Sequence, residues 1–238
     1  MPTSLRQLLA LFALLPLAAG AVTAEDVKKP RGPATWYAQA LTRGEAGLNV
    51  THLWSKGAAL RAETVVAGHK IVTIVRGDRY YAYDGLTGEG LSIRREPAVV
   101  ASEKPDERPF AQEYDVLMRQ GAELVREETL IGRRAGIYRV TDEIGRRELW
   151  VTQDALRIPL RVEIFDRQSG TQRTTDYVNW QSDLEIPDAF FTPDSNARLT
   201  DMDYTEYLRR SSAEGTVGPV PVFYTHMLFK KKELVGGK

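Results

Sequence analysis

From residue 49 to residue 180 the chain is written in short runs of β-branched and aromatic residues divided by turn residues. The runs are 49–56, 58–66, 69–76, 79–84 and 90–95, then 123–130, 134–141, 147–153, 158–166 and 171–180. Gly57, Ala67-Gly68, Gly77-Asp78 and Asp84-Gly85 punctuate the first group, and Gly132, Gly145 and Gly170 the second. Such short gaps favour hairpins over crossover helices, so successive runs are predicted to pair as an antiparallel meander.

Two runs say which faces are covered. In 158–166, Ile158, Leu160, Val162 and Ile164 alternate with Arg161 and Glu163, the pattern of a strand with one dry and one wet face. Ile71 to Val75 is apolar on both faces, which predicts a central or doubly covered strand. Helical spacing is expected in three places. Ala34–Leu41 reads as a short helix carrying Trp36, Tyr37 and Leu41. Phe110–Gln120 carries Phe110, Tyr114, Leu117 and Met118 and ends at Gly121. Asp201–Arg210 reads as a third. Residues 103–109 form a charged, proline-bounded loop, and Val222–Phe229 is an apolar run before Lys230-Lys231-Lys232. The predicted fold is α+β and mainly antiparallel β. About ten or eleven strands make a strongly bent half-barrel whose concave face is covered by a few helices.

The ends are of another kind. Residues 1–24 read as a signal peptide: Arg6, an apolar stretch from Leu8 to about Ala19, and small residues at Val22-Thr23-Ala24 ahead of Glu25-Asp26. The stretch is shorter than the roughly 20 residues a membrane span needs. Residues 25–33 read as a flexible leader, 34–193 as the half-barrel domain and 194–238 as a partly ordered C-terminal extension. An exported chain without cysteine fits a bacterial envelope, so the expected location is the periplasm, with no transmembrane segment in the mature chain.

Composition removes whole classes of function. The absence of cysteine excludes disulfides, thiol catalysis and thiolate metal clusters. Lysine plus arginine and aspartate plus glutamate number 32 each, so no basic excess exists for nucleic acid. His52, His69 and His226 form no metal-binding pair, and no nucleophile elbow, dinucleotide fingerprint or phosphate loop occurs. Asp201, Asp203 and Glu206 read as acids at a helix start, a simpler account than calcium. No enzyme, metal or cofactor is therefore predicted. The aromatic residues Trp36, Trp54, Tyr81, Trp150 and Trp180 are the candidate lining of an apolar ligand cavity, although ordinary strand packing accounts equally well for any one of them.

Several segments resemble the Lol-type periplasmic lipoprotein carriers and their outer-membrane lipoprotein-sorting relatives. They are Leu53-Trp54-Ser55-Lys56-Gly57, Leu60-Arg61, Glu63 and Ile74 to Asp84 in the first half. In the second half they are Glu148 to Val151, Ile158 to Glu163, Asp176 to Trp180, and Ile186-Pro187-Asp188 with Phe190-Phe191. The resemblance spans roughly residues 34 to 193 and rests on order and spacing. It implies a bent sheet over helices, an apolar cavity and non-enzymatic binding of lipid or of an acylated protein. It also adds Arg61 to the candidate lining, as the counterpart of an arginine that helps close the cavity. The insert 103–109 and the stretch after 195 have no counterpart in that pattern.

The expected function is thus outer-membrane lipoprotein sorting by acyl-chain binding, and the alternative is an envelope docking module that holds a protein partner. Burial of hydrocarbon is worth about 0.8 kcal/mol per methylene. A releasable cargo therefore needs a cavity that closes on itself when empty. The Trp36, Phe110 and Val222–Phe229 segments are the candidate lids.

Overall fold

The computed structural model describes residues 34–45, 47–214, 218 and 224–229. The signal-peptide and leader readings lie outside them. All the described residues belong to one compact unit. Its strands are β1 (Thr35–Gly44), β2 (Gly47–Lys56), β3 (Ala59–Val66), β4 (His69–Arg76), β5 (Arg79–Asp84) and β6 (Glu89–Arg94). Helices α1 (Pro97–Ala101) and α2 (Glu113–Arg119) follow. Then come β7 (Glu123–Leu130), β8 (Arg133–Thr141), β9 (Gly145–Thr152), β10 (Pro159–Asp166) and β11 (Gln172–Ser182). A 3₁₀ turn at Asp188–Phe191, β12 (Arg198–Asp203), α3 (Tyr204–Glu214) and α4 (Thr225–Leu228) complete it.

The strands form one 12-stranded sheet in the order β12-β6-β5-β4-β3-β2-β1-β11-β10-β9-β8-β7. It is unclosed, with β12 and β7 at its ends. Every pairing is antiparallel except β12 with β6, which is parallel. The antiparallel expectation holds, and the strand count exceeds the ten or eleven predicted because β1 and β12 join the ten runs read from the sequence.

Two segments differ from their sequence reading. Residues 34–41, whose spacing predicts a helix, contribute strand β1 instead. β1 pairs with β2 on one side and β11 on the other, so its backbone groups are satisfied along both edges. Trp36, Ala38 and Ala40 then face the main core together, a period of two that the helical spacing of Trp36, Tyr37 and Leu41 conceals. Residues 198–203 form β12 ahead of α3, whereas Asp201–Arg210 reads as one helix in the sequence. Only Met202 of β12 is buried, so little apolar signal marks it.

The main core lies on one face of the sheet. It joins Leu53, Leu60, Val75, Tyr80, Ile93 and Met202 from one half to Leu149, Val151, Val162 and Tyr177 from the other, under Phe110, Leu117, Met227 and Leu228. The sheet has to bend for one cover to reach both halves. Tyr80 on β5 and Tyr177 on β11 are five strand positions apart, about 24 Å in a flat sheet at ~4.8 Å per strand. Yet Tyr224 donates its backbone N–H to Tyr80 Oη at 3.0 Å and lies close enough to the Tyr177 hydroxyl to push its pKa upward.

β4 is covered on both sides, as its sequence predicts. Val75 and Thr73 face the main core, while Val72 and Ile74 face a second cluster with Tyr83 and Phe191, delivered by the segment after β11. In β10, Val162 and Ile164 face the main core and Arg161 pairs with Asp176 at 2.7 Å. Ile158 and Leu160 do not share that face as predicted. A register shift between Pro159 and Arg161 turns them to Ala135, Ile137 and Trp150.

Candidate functional site

Where β1 and β11 meet at the edge of the main core, their tryptophans come together. Strict alternation from Tyr177 would place Trp180 on the other side of the sheet. A register shift between Tyr37 and Gln39, with Asn179 at φ +55°, inserts one residue and returns Trp180 to the Tyr177 side. Asn is one of the few side chains that tolerates this backbone region. Asn179 Nδ2 also donates to Gln39 Oε1 across the pair.

Trp36 and Trp180 then meet edge to face, with ring centroids 6.3 Å apart. Phe110 stacks on Trp180 at 5.7 Å, and Tyr177 lies 5.9 Å from it. The Arg108 guanidinium sits 5.3 Å from the Trp36 ring and 4.9 Å from Trp180. It donates to the carbonyls of Phe110 and Ala111 at 3.0 and 2.9 Å, fixing the turn into α2. Burial holds the Arg108 pKa below its ordinary value, a direction that does not discharge a guanidinium.

Two grooves open beside this cluster. One, of about 550 Å³, is lined by Trp36, Trp180, Ile158, Leu156, Gln181 and Arg133. The other, of about 280 Å³, is lined by Trp36, Arg108, Ala111, Tyr114, Leu156 and Arg157. Trp36 and Leu156 border both. The first lies within the few-hundred-ångström range of small-ligand sites.

Inward of the cluster lies a polar group in an apolar setting. Glu113 accepts the Tyr177 hydroxyl at 2.6 Å, and its second carboxylate oxygen is buried with no hydrogen-bond partner. Burial raises the Glu113 pKa, against the smaller opposing pull of the Tyr177 hydrogen bond and the charge of Arg108. Tyr177 and Tyr224 are also raised, first by burial and then by the Glu113 charge.

The remaining predicted lining residues are elsewhere. Trp54, Arg61 and Tyr81 lie on the opposite face. Trp54 packs on Tyr37 at 5.3 Å, on His52 at 5.6 Å and on Phe190 at 5.4 Å. Arg61 pairs with Glu63 at 2.7 Å, donates to the Phe190 carbonyl at 3.1 Å and lies 4.8 Å over its ring. It therefore fastens the segment after β11 to the outside of β3. Tyr81 joins the Val72 cluster. Trp150 packs with Ile137 and Leu160 and donates its indole N–H to Glu128 at 2.6 Å. Of the six predicted residues, the structure brings together Trp36 and Trp180, which also pack against the cluster that holds Trp150, and it places Trp54, Arg61 and Tyr81 apart from them.

Arg108, Glu113 and Tyr177 are not picked out by the sequence reading. Glu113 has a visible signal, since it falls three residues after Phe110 and four before Leu117, on the apolar stripe of its helix. The acidic trio at the start of α3 serves local structure. Asp203 accepts the Glu206 N–H at 2.7 Å, and Asp201 accepts from Ser92 at 3.0 Å and pairs with Arg79. Among the described residues no cluster of histidine and carboxylates fits a metal, and no helix is long and apolar enough to cross a membrane.

No protein-family model and no curated protein matches the sequence. Solved structures do. An uncharacterized conserved protein of Thermus thermophilus superposes with a TM-score of 0.51 at 13% identity, over 71% of this chain and 91% of that one. The neighbours include MucB in the MucA/MucB complex of Pseudomonas aeruginosa, at 0.44 and 13% identity over 70% of this chain and 58% of that one. They also include a domain described as outer membrane lipoprotein-sorting from Vibrio parahaemolyticus, at 0.33 and 12% identity over 70% and 92%. At such identities the likeness is one of fold alone.

Proposed function

We propose that this chain is an exported, periplasmic, non-enzymatic binding protein that holds an acyl chain of a lipid or acylated protein. The chain enters beside Trp36 and Trp180 and lies between the main face of the sheet and α2. The observation that carries this reading is the half-buried pair Trp36 and Trp180 beside two grooves, stacked on the buried Phe110 and so continuous with the main core. An apolar guest reaching Trp180 needs only to displace side chains that already pack on the sheet.

The face beside the tryptophans is filled by the protein's own Phe110 and Leu117. These offset part of the ~0.8 kcal/mol per methylene that a guest gains on burial. Binding is therefore an exchange of one apolar cover for another, and release remains possible. Arg108, over both tryptophans, ties the position of α2 to the occupancy of the mouth.

Native mass spectrometry of gently purified protein, followed by lipid extraction, tests this. A co-purified acyl lipid or lipopeptide supports it. A fluorescent fatty acid should bind the wild type and bind Trp180→Phe about ten-fold more weakly, with the variant still folded cooperatively. A clean apo mass with no uptake of the probe would overturn the reading. So would a series in which every binding-defective variant also unfolds.

A further inference from the structure

Residues Tyr224–Phe229 occupy the main face beside β5, the end of β6 and α3, and they are held there chiefly by their main chain. Arg95 Nε donates to the Met227 carbonyl at 2.5 Å, and the Glu96 N–H donates to the Leu228 carbonyl at 2.8 Å. Tyr80 Oη accepts the Tyr224 N–H at 3.0 Å. Arg95 is only 2% exposed, and its other donors reach the Gly77 carbonyl and Glu103, so the body of the protein holds the guanidinium independently of the segment. The side chains fill apolar places: Met227 and Leu228 are buried, and Phe229 stacks on Tyr204 of α3 at 4.5 Å.

From this arrangement we infer that the groove between β5, β6, α1 and α3 is a peptide-docking groove. Its partner is an apolar peptide of another protein, with an aromatic residue followed three, four and five positions later by apolar residues. The segment 224–229 stands in for that partner. The polar groups of the groove decide the class of occupant. A hydrocarbon chain that replaced the segment would leave Arg95 Nε buried without its acceptor, a loss that apolar contact does not restore. A second peptide restores it, because every peptide carries carbonyls at this spacing.

The fit of the chain's own segment is also incomplete. A cavity of about 180 Å³ lies against His226 and Met227, lined also by Arg95, Val99, Glu103 and Gln112. A partner with a longer basic side chain at the place of His226 reaches Glu103 and fills that space. This groove borders the face used in the acyl reading, but it is defined by Tyr80, Arg95 and Glu96, whereas that reading rests on Trp36 and Trp180.

The test uses the full chain and a fluorescein-labelled synthetic peptide with the sequence of residues 222–230, read by fluorescence polarisation. The wild type is expected to bind weakly and saturably, because its own segment holds the groove. Phe229→Ser and Met227→Asp loosen that segment and should tighten apparent binding about ten-fold or more, in proportion to the fraction of open groove. Adding Arg95→Gln to Phe229→Ser should abolish the gain, and a probe with arginine at the place of His226 should bind more tightly than the parent probe. Phe229→Ser alters a partly exposed residue and guards against a result due to unfolding.

The proposal falls if no folded variant binds the peptide, or if a scrambled peptide binds equally. It also falls if the loosened variants exchange segments into dimers, which would make a second copy the occupant. Uptake of a fluorescent fatty acid on the same samples separates the two readings. Peptide binding without fatty-acid uptake keeps the groove and removes the acyl site, and fatty-acid uptake without peptide binding does the reverse.

Discussion

Asn179 decides which side of the sheet Trp180 occupies, and it does so with a backbone conformation that most side chains resist. Asn179→Val is expected to cost about 1–2 kcal/mol in urea unfolding, the penalty of a left-handed backbone for a side chain with Cβ branching. Asn179→Gly should keep both stability and fatty-acid binding. Glu113 supports a prediction with a sign. Its pKa is raised in the folded protein, so across the interval from the unfolded value, about 4.3, to the raised folded value the native state binds more protons than the unfolded chain. Stability therefore falls as pH rises through that interval. Glu113→Gln, which can still accept from Tyr177, should raise the melting temperature at pH 7 and change it little at pH 4. A melting temperature at pH 7 that falls on this substitution would show the carboxylate to be stabilising where it sits.

Strands differ in how many faces they bury, and this should appear in their tolerance of truncation. Ile74 on β4 is fully buried between its neighbours and the segment after β11, so Ile74→Ala should cost about 2–5 kcal/mol. Leu124 on the edge strand β7 is half exposed, and Leu124→Ala should stay within about 0.5 kcal/mol. Chemical denaturation of both variants checks the contrast. The same distinction explains what can be read in advance. β4, β5 and β7 carry their boundaries in the sequence, because turn residues flank them. β1 reads as a helix because Trp36-Tyr37-Ala38-Gln39-Ala40-Leu41 suits helical spacing as well as strand spacing, and pairing with β2 and the distant β11 decides between them. β12 escapes a local reading because its place beside β6 comes from a parallel pairing across a long connection, which no short pattern encodes. Trp36 and Trp180 can be named as candidates, but their meeting depends on one inserted residue in β11.

One continuous core joins the half of the sheet from β12 to β2 with the half from β11 to β7, so the two halves should not unfold separately. Variants retaining only Trp54, in the first half, or only Trp150, in the second, are expected to lose native fluorescence at the same urea concentration. Two separated midpoints would show that the halves are independent. β1 is the hub of this arrangement, and of the strands it emerges first from the ribosome. Its second partner, β11, lies roughly 130 residues further along the chain. At a synthesis rate of about 5–20 residues per second, one edge of β1 stays bare for roughly 6 to 26 seconds on every newly made molecule. That edge is a ready template for a strand from a neighbouring nascent chain, so crowded polysomes should favour mispaired products, and a chaperone that holds the nascent chain should raise the yield of folded protein.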